Sequence, residues 1–204
     1  MTFFIDSGVI RCNEGINPLT FMGRKIIDDK IISDIEEYIS HQELQKAKVL
    51  HMNRKSADKA RSSMIHWMNS ENYKDFLMPI YEHISRKVRM INDGMWRYNY
   101  GGYGVFQYSE YVVGDHFNWH IDQVEIKGES RKVSFSIGIS DESEYEGGDL
   151  GFKAAEEEDY YKIGRGDIIA FPSWMLHKVT PITKGKRRVL VGWGEGLILS
   201  LIHI

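Results

Sequence analysis

Two stretches in the first half of the chain place apolar residues at helical spacing. Ile31, Ile32, Ile35, Tyr38 and Ile39 fall on one face behind Asp28 or Asp29, either of which can cap a helix start. Phe76, Leu77, Ile80, Ile84, Val88 and Ile91 do the same behind Asn72. Both stripes read as core-facing rather than as a groove for a partner. From Gly104 the period shortens. Runs rich in Val, Ile, Phe and Tyr alternate with turn signals at Gly114, Gly128, Gly147–Gly148, Gly164–Gly166 and Gly185. About eight such runs follow the helices, which predicts an α+β chain, a β core buttressed by N-terminal helices.

Composition narrows this to one folded unit. Of 204 residues, 42% are hydrophobic, with five Trp and eleven Tyr, enough for a real core. No repeat and no Gly/Ser linker divides the chain, so 1–204 is expected to be a single domain, with helical support over about 1–100 and the strand core over about 101–196. Ala155-Glu-Glu-Glu-Asp159 reads as a solvated loop. A net charge of −3 without a Lys/Arg stripe argues against an extended nucleic-acid surface. The single Cys12 excludes an intramolecular disulfide and a Cys-based zinc site. No apolar run approaches the roughly 18 residues of a membrane span, and Met1-Thr-Phe-Phe-Ile-Asp6 lacks the basic start of a signal peptide. The expectation is a cytoplasmic chain without a membrane anchor. The stretch Leu199-Ser-Leu-Ile-His-Ile204 looks foreign to the rest, so 197–204 is expected to be an artefactual tail and His203 receives no role.

The chemistry concentrates in Phe117-Asn-Trp-His-Ile-Asp122 and Phe171-Pro-Ser-Trp-Met-Leu-His177. Alternate residues of a strand share a face, so His120 and Asp122 can reach one ion while Ile121 packs behind them. An isolated His-x-Asp is more often a surface hydrogen-bonded pair. His177 supplies a third ligand and, ten residues on, Arg187 supplies a cation. Two imidazoles and a carboxylate on one face of an ion form the triad of non-haem Fe(II) oxygenases.

In these residues the chain resembles the Fe(II)- and 2-oxoglutarate-dependent dioxygenases, in particular their prolyl-4-hydroxylase-like branch of bacterial and viral hydroxylases. The resemblance runs from about Val105 to Gly196. It rests on Tyr111-Val-Val-Gly114 before His120, Tyr145-Glu-Gly-Gly-Asp-Leu150, Gly164-Arg-Gly-Asp-Ile-Ile-Ala-Phe-Pro-Ser173, His177 with Thr180-Pro181, a basic residue after Gly185, and Trp193. It implies a double-stranded β-helix, a jelly roll, with His120, Asp122 and His177 as iron ligands. It also implies that Arg187 grips the distal carboxylate of 2-oxoglutarate, a task suited to a planar guanidinium. Arg188 competes for that role, because the apolar alternation of Arg187 to Trp193 does not settle which arginine faces inward; the family's spacing favours Arg187. Tyr111 has two readings, a hydrogen-bonding neighbour of 2-oxoglutarate or an ordinary strand aromatic. O2 is the second co-substrate, and ascorbate is an accessory expectation.

The implied reaction is hydroxylation of an amino-acid side chain, foremost a prolyl residue in a peptide or protein, with release of succinate and CO2. Another side chain or a free amino acid is the next choice. Leu44–Tyr103 matches the family least, and the loop Gln123–Ser130 is expected to help choose the substrate. A nucleic-acid dealkylase of the same iron chemistry is one alternative, disfavoured because Trp193 stands where those enzymes carry a second arginine. A non-catalytic jelly-roll binding module is the other. His116 and His120 have the spacing of a helical zinc pair, yet the segment reads as extended and His116 as a pocket or surface histidine. Ser134, Ser136 and Gly138 offer small side chains to one strand face near the site. The glycine pairs read as turns rather than phosphate cradles. Oligomeric state is left open.

Overall fold

The computed structural model describes residues 2–6, 9–13, 19–48, 60–69, 71–126, 128–154 and 156–197. Two sheets face each other. The major sheet runs in the order Val9–Asn13, Thr2–Asp6, Phe21–Gly23, Ile168–Pro172, Glu129–Gly138, Arg187–Leu197, Gln107–Tyr111, Met64–Trp67 and Gln45–Lys46. The minor sheet runs Glu157–Tyr161, Leu150–Ala154, Leu176–Val179, His116–His120 and Arg61–Ser62. Among the described residues all pairings are antiparallel except that of Thr2–Asp6 with Phe21–Gly23. This is the jelly-roll arrangement of an α+β chain.

Strand alternation builds two cores, one on each side of the major sheet. On the outer face Val133, Phe135, Ile137, Ile168, Ala170 and Leu190 meet Ile32, Ile35, Ile80, Ile84 and Val88 of the helices Asp29–Ser40 and Lys74–Met95. On the inner face Ile169, Phe171 and Val189 meet Leu150, Phe152 and Val179 of the minor sheet. The helical stripes are therefore core-facing, as their spacing predicts.

Three local expectations change. Asp28 is the N-cap residue of the first helix, but the second starts at Lys74 behind Tyr73, with Asn72 inside a preceding 3-10 turn. Tyr73 packs edge-on against Tyr38, which anchors that entry. The N-terminal half also contributes strands to both sheets. Finally, Glu157–Tyr161 is an edge strand paired with Leu150–Ala154 rather than a loop. Its charges suit an exposed sheet edge, where they discourage pairing with other chains. The tail beyond Leu197 lies outside the described residues; Leu197 itself closes the last strand opposite Glu129.

Candidate metal centre

His177 and His120 are directly paired across two neighbouring minor-sheet strands, which brings their rings to 4.1 Å between centroids. Asp122 arrives differently. Its strand ends at His120, and the chain turns so that the Asp122 and Gln123 amides both donate to the Ser173 carbonyl at 2.9 Å. The carboxylate then lies 3.6 Å from Nε2 of each histidine, and the three ligand atoms fall within 4.8 Å of one another. The turn also corrects the position of Ile121, which is 50% exposed on the cavity wall instead of packing behind the pair.

The surroundings prepare these groups for a cation. Nδ1 of His120 is 2.7 Å from the Asn118 carbonyl and Nδ1 of His177 is 2.9 Å from that of Met175. A carbonyl can only accept, so each Nδ1 carries the proton and each Nε2 keeps a lone pair aimed at the centre. Burial, with His177 beside it, pushes His120 down to about 4, so its imidazole is neutral near pH 7. For Asp122 burial pushes upward, but His177, His120, the Trp193 indole and Arg131 outweigh it and hold the carboxyl below its usual range. The indole Nε1 of Trp193 donates to Asp122 at 2.9 Å. Two imidazoles and one carboxylate make a donor set suited to a divalent ion with open coordination positions.

A cavity of about 880 Å³ connects this cluster to Arg187 and Tyr111. Arg187 and Tyr111 are paired across adjacent strands, and the guanidinium lies 5.4 Å from the Tyr111 ring centroid. Arg187 is only 1% exposed, and its Nε and Nη2 have no hydrogen-bond partner. A buried guanidinium with idle donors is costly unless an anion meets it, and 2-oxoglutarate carries a carboxylate suited to that place. Gly148, at φ +66, permits the close packing: a Cβ there would meet Ile182 Cδ1 at 2.3 Å and Arg187 Cδ at 2.9 Å. Arg188 faces the opposite side, bonded to Glu36 and Glu144 at 2.8 Å each. The inward arginine is thus Arg187.

Residues 106–195 match the family model described as the 2OG-Fe(II) oxygenase superfamily. This segment resembles the 2OG-Fe(II) oxygenases. It is 37% identical over 90 residues to a PKHD-type hydroxylase of Idiomarina loihiensis, covering 44% of this chain and 41% of that protein. A PKHD-type hydroxylase of Synechococcus sp. (strain CC9902) is 43% identical over 88 residues, covering 43% and 40%. The matched part thus spans about two fifths of the length of these relatives. The fold resembles a prolyl-4-hydroxylase of Pseudomonas putida with TM-score 0.66 at 16% identity, over 87% of this chain and 92% of that one. A Trichoplax adhaerens prolyl hydroxylase, solved with a hypoxia inducible factor peptide, gives TM-score 0.69 at 14% identity, over 87% and 84%.

Within the matched segment some expected neighbours stay outside the cavity. Ser134 bonds the Ser173 hydroxyl at 2.9 Å, and a Cβ on Gly138 would meet the Gly164 carbonyl at 1.9 Å, so both are packing positions. Ser136 alone of the three lines the cavity. His116 is not among the three clustered ligands; its Nδ1 lies 3.3 Å from the Gly114 carbonyl. The hairpin around Gln123–Ser130 contributes Val124 and Glu125 to the wall.

Other wall residues escaped the sequence reading. Alternation places Lys132 on the face of Ser134, but a bulge between Arg131 and Val133 turns Arg131 inward, 3.6 Å over the Trp193 ring. No periodic signal marks such a bulge. Gln45, Lys46, Arg61, Ile65 and Trp67 join the wall from outside the matched segment, where no motif advertises them.

Proposed function

We propose that the chain is an Fe(II)- and 2-oxoglutarate-dependent hydroxylase acting on an amino-acid side chain, foremost a prolyl residue of a peptide. The observation that carries this reading is the pairing, within one cavity, of the His120–Asp122–His177 cluster with the buried Arg187, whose Nε and Nη2 lack a hydrogen-bond partner. His120, Asp122 and His177 hold the iron, Arg187 takes the distal carboxylate of 2-oxoglutarate, and Tyr111 walls the same end. The PKHD-type relatives and the prolyl-hydroxylase fold favour hydroxylation and a peptide substrate.

When bound, iron and 2-oxoglutarate supply the oxidising chemistry: dioxygen gives one oxygen atom to succinate as CO2 leaves and the other to a substrate C–H bond. The chain supplies position and dryness. Backbone carbonyls fix the tautomers of His120 and His177, Trp193 orients Asp122, and Phe117 stacks on His120 at 3.5 Å between centroids. Leu150, Phe171, Val179 and Val189 keep the floor apolar, which strengthens the Arg187 interaction.

Among the described residues no helix is long and apolar enough to cross a membrane. Cytoplasm is the proposed compartment, since a reducing milieu keeps Fe(II) reduced. The deciding experiment is an anaerobic titration with Fe(II) and 2-oxoglutarate, followed through the visible charge-transfer band of the chelate. The band is expected in the wild-type protein and absent in His177→Ala. A folded wild-type protein that gives no band rejects the reading in favour of a binding module.

A further inference from the structure

Five cationic side chains, Lys46, Lys48, Arg61, Arg131 and Arg187, line the cavity against the carboxylates of Asp122 and Glu125. The chain as a whole carries −3. A bound dication and the dianion of 2-oxoglutarate cancel, so filling the proposed site leaves this positive surplus in place. Arg131 has Glu195 at 3.9 Å. Arg61 is placed differently.

Arg61 sits on the edge strand of the minor sheet, opposite Phe117, and its guanidinium lies 4.8 Å from the Phe117 ring centroid. It reaches across to the major sheet, where Nη2 donates to Gln107 Oε1 at 2.8 Å and Ser109 Oγ at 3.3 Å; Nε donates to Ser63 Oγ at 3.0 Å. Every one of these partners is neutral, and among the described residues no carboxylate forms an ion pair with Arg61. Gln107 is 3% exposed and Ser109 is fully buried. Two buried polar side chains on a core strand cost stability that apolar residues would not, and here they orient a cation along the cavity wall.

We propose that Arg61 is a second carboxylate-binding residue of this cavity, taking a carboxylate other than the one assigned to Arg187, and this proposal rests on the oxygenase reading. A carboxylate here has two sources. One is the metal-side end of 2-oxoglutarate, since the Phe117 ring packs against both the Arg61 guanidinium and the His120 ring. The other is an acidic residue of the substrate, entering from the side of Lys46 and Lys48.

The test uses the full chain with Mn(II) in place of oxidisable Fe(II), titrated calorimetrically with four probes. Two are 2-oxoglutarate and levulinate, which has a methyl group in place of the metal-side carboxylate. The others, added to 2-oxoglutarate-loaded protein, are acetyl-Gly-Glu-Pro-Glu-Gly-amide and its Gln counterpart. If the co-substrate is the source, Arg61→Gln weakens 2-oxoglutarate about tenfold or more, leaves levulinate within about twofold, and Arg61→Lys recovers most of the loss. If the substrate is the source, 2-oxoglutarate binds unchanged, while a wild-type preference for the Glu peptide disappears in Arg61→Gln and survives in Arg61→Lys. Should Arg61→Gln melt early, Gln107→Glu neutralises the guanidinium in place and is read the same way.

Uniform weakening of all four probes, no change in any, or binding of none by the wild-type protein overturns the proposal. Arg187→Ala reports separately on the oxygenase reading, because levulinate keeps the distal carboxylate. Levulinate binding indifferent to Arg187→Ala counts against that reading and not against Arg61.

Discussion

The cavity has two walls of different character. The wall built from residues 106–195 carries His120, Asp122, His177, Arg187 and Trp193, every group the proposed chemistry needs. The wall built from residues 45–67 carries Lys46, Lys48, Arg61, Ile65 and Trp67, none of which belongs to the matched family segment. Trp67 and Trp193 meet between them at 6.0 Å. In the proposed reading the first wall is a scaffold of paired strands that would hold a metal and a small dicarboxylate. The second is assembled from short strands at the margins of the two sheets, whose side chains can change without disturbing that scaffold, so it is where substrate selection is expected to lie.

The difference is broken most severely on the first wall. His177→Ala removes a ligand atom and should lower metal affinity by more than about 100-fold, beyond the range for losing a supporting hydrogen bond. His116→Ala, at the far end of the strand that carries His120 and outside the cluster, should leave metal affinity unchanged. Equal losses measured by anaerobic Fe(II) titration would mean that the cluster is misassigned. Next in size, Arg187→Ala should weaken 2-oxoglutarate binding by about 2–5 kcal/mol while metal affinity holds, as read by calorimetry with Mn(II). A loss of both together would place Arg187 in the scaffold rather than against the co-substrate.

The two walls were also unequally legible from the sequence. His120, Asp122 and His177 stand in motifs whose order and spacing are visible as letters, and the helical stripes of Ile35 or Ile84 follow from period alone. What stayed hidden depends on geometry between distant segments. Arg187 and Arg188 are indistinguishable by alternation, and Glu36, on a helix far away in sequence, together with Glu144 claims Arg188 for the outer face. Arg131 enters the cavity through a bulge, and Arg61 through an edge strand only two residues long. Asp122 lies two residues beyond the strand that its spacing from His120 implies, because the Ser173 carbonyl that bends the chain leaves no mark on the local pattern.

A smaller effect sharpens the comparison at the metal. Trp193→Phe keeps the ring packing but deletes the indole donor to Asp122. Loss of such a partner should cost about 10–100-fold in metal affinity, with 2-oxoglutarate affinity falling only as far as the metal does. A metal affinity equal to wild type would show that the packing of Trp193, and not its hydrogen bond, orients the carboxylate.

The smallest effect comes from the outer side of the same strand. Arg188 joins Glu36 on the helix Asp29–Ser40 to Glu144, and its backbone amide and Nε both donate to Ser140 Oγ at 3.0 and 3.1 Å. These ion pairs are partly exposed, so water and salt screen them, and Arg188→Ala should cost roughly 1 kcal/mol of folding stability. Chemical denaturation should register that loss while the Mn(II) and 2-oxoglutarate titrations stay at wild-type values. Adjacent residues of one strand would then separate cleanly, Arg187 changing the ligand and Arg188 the fold. If Arg188→Ala instead weakens 2-oxoglutarate and spares stability, the strand presents its other face to the cavity and the assignment of both walls fails with it.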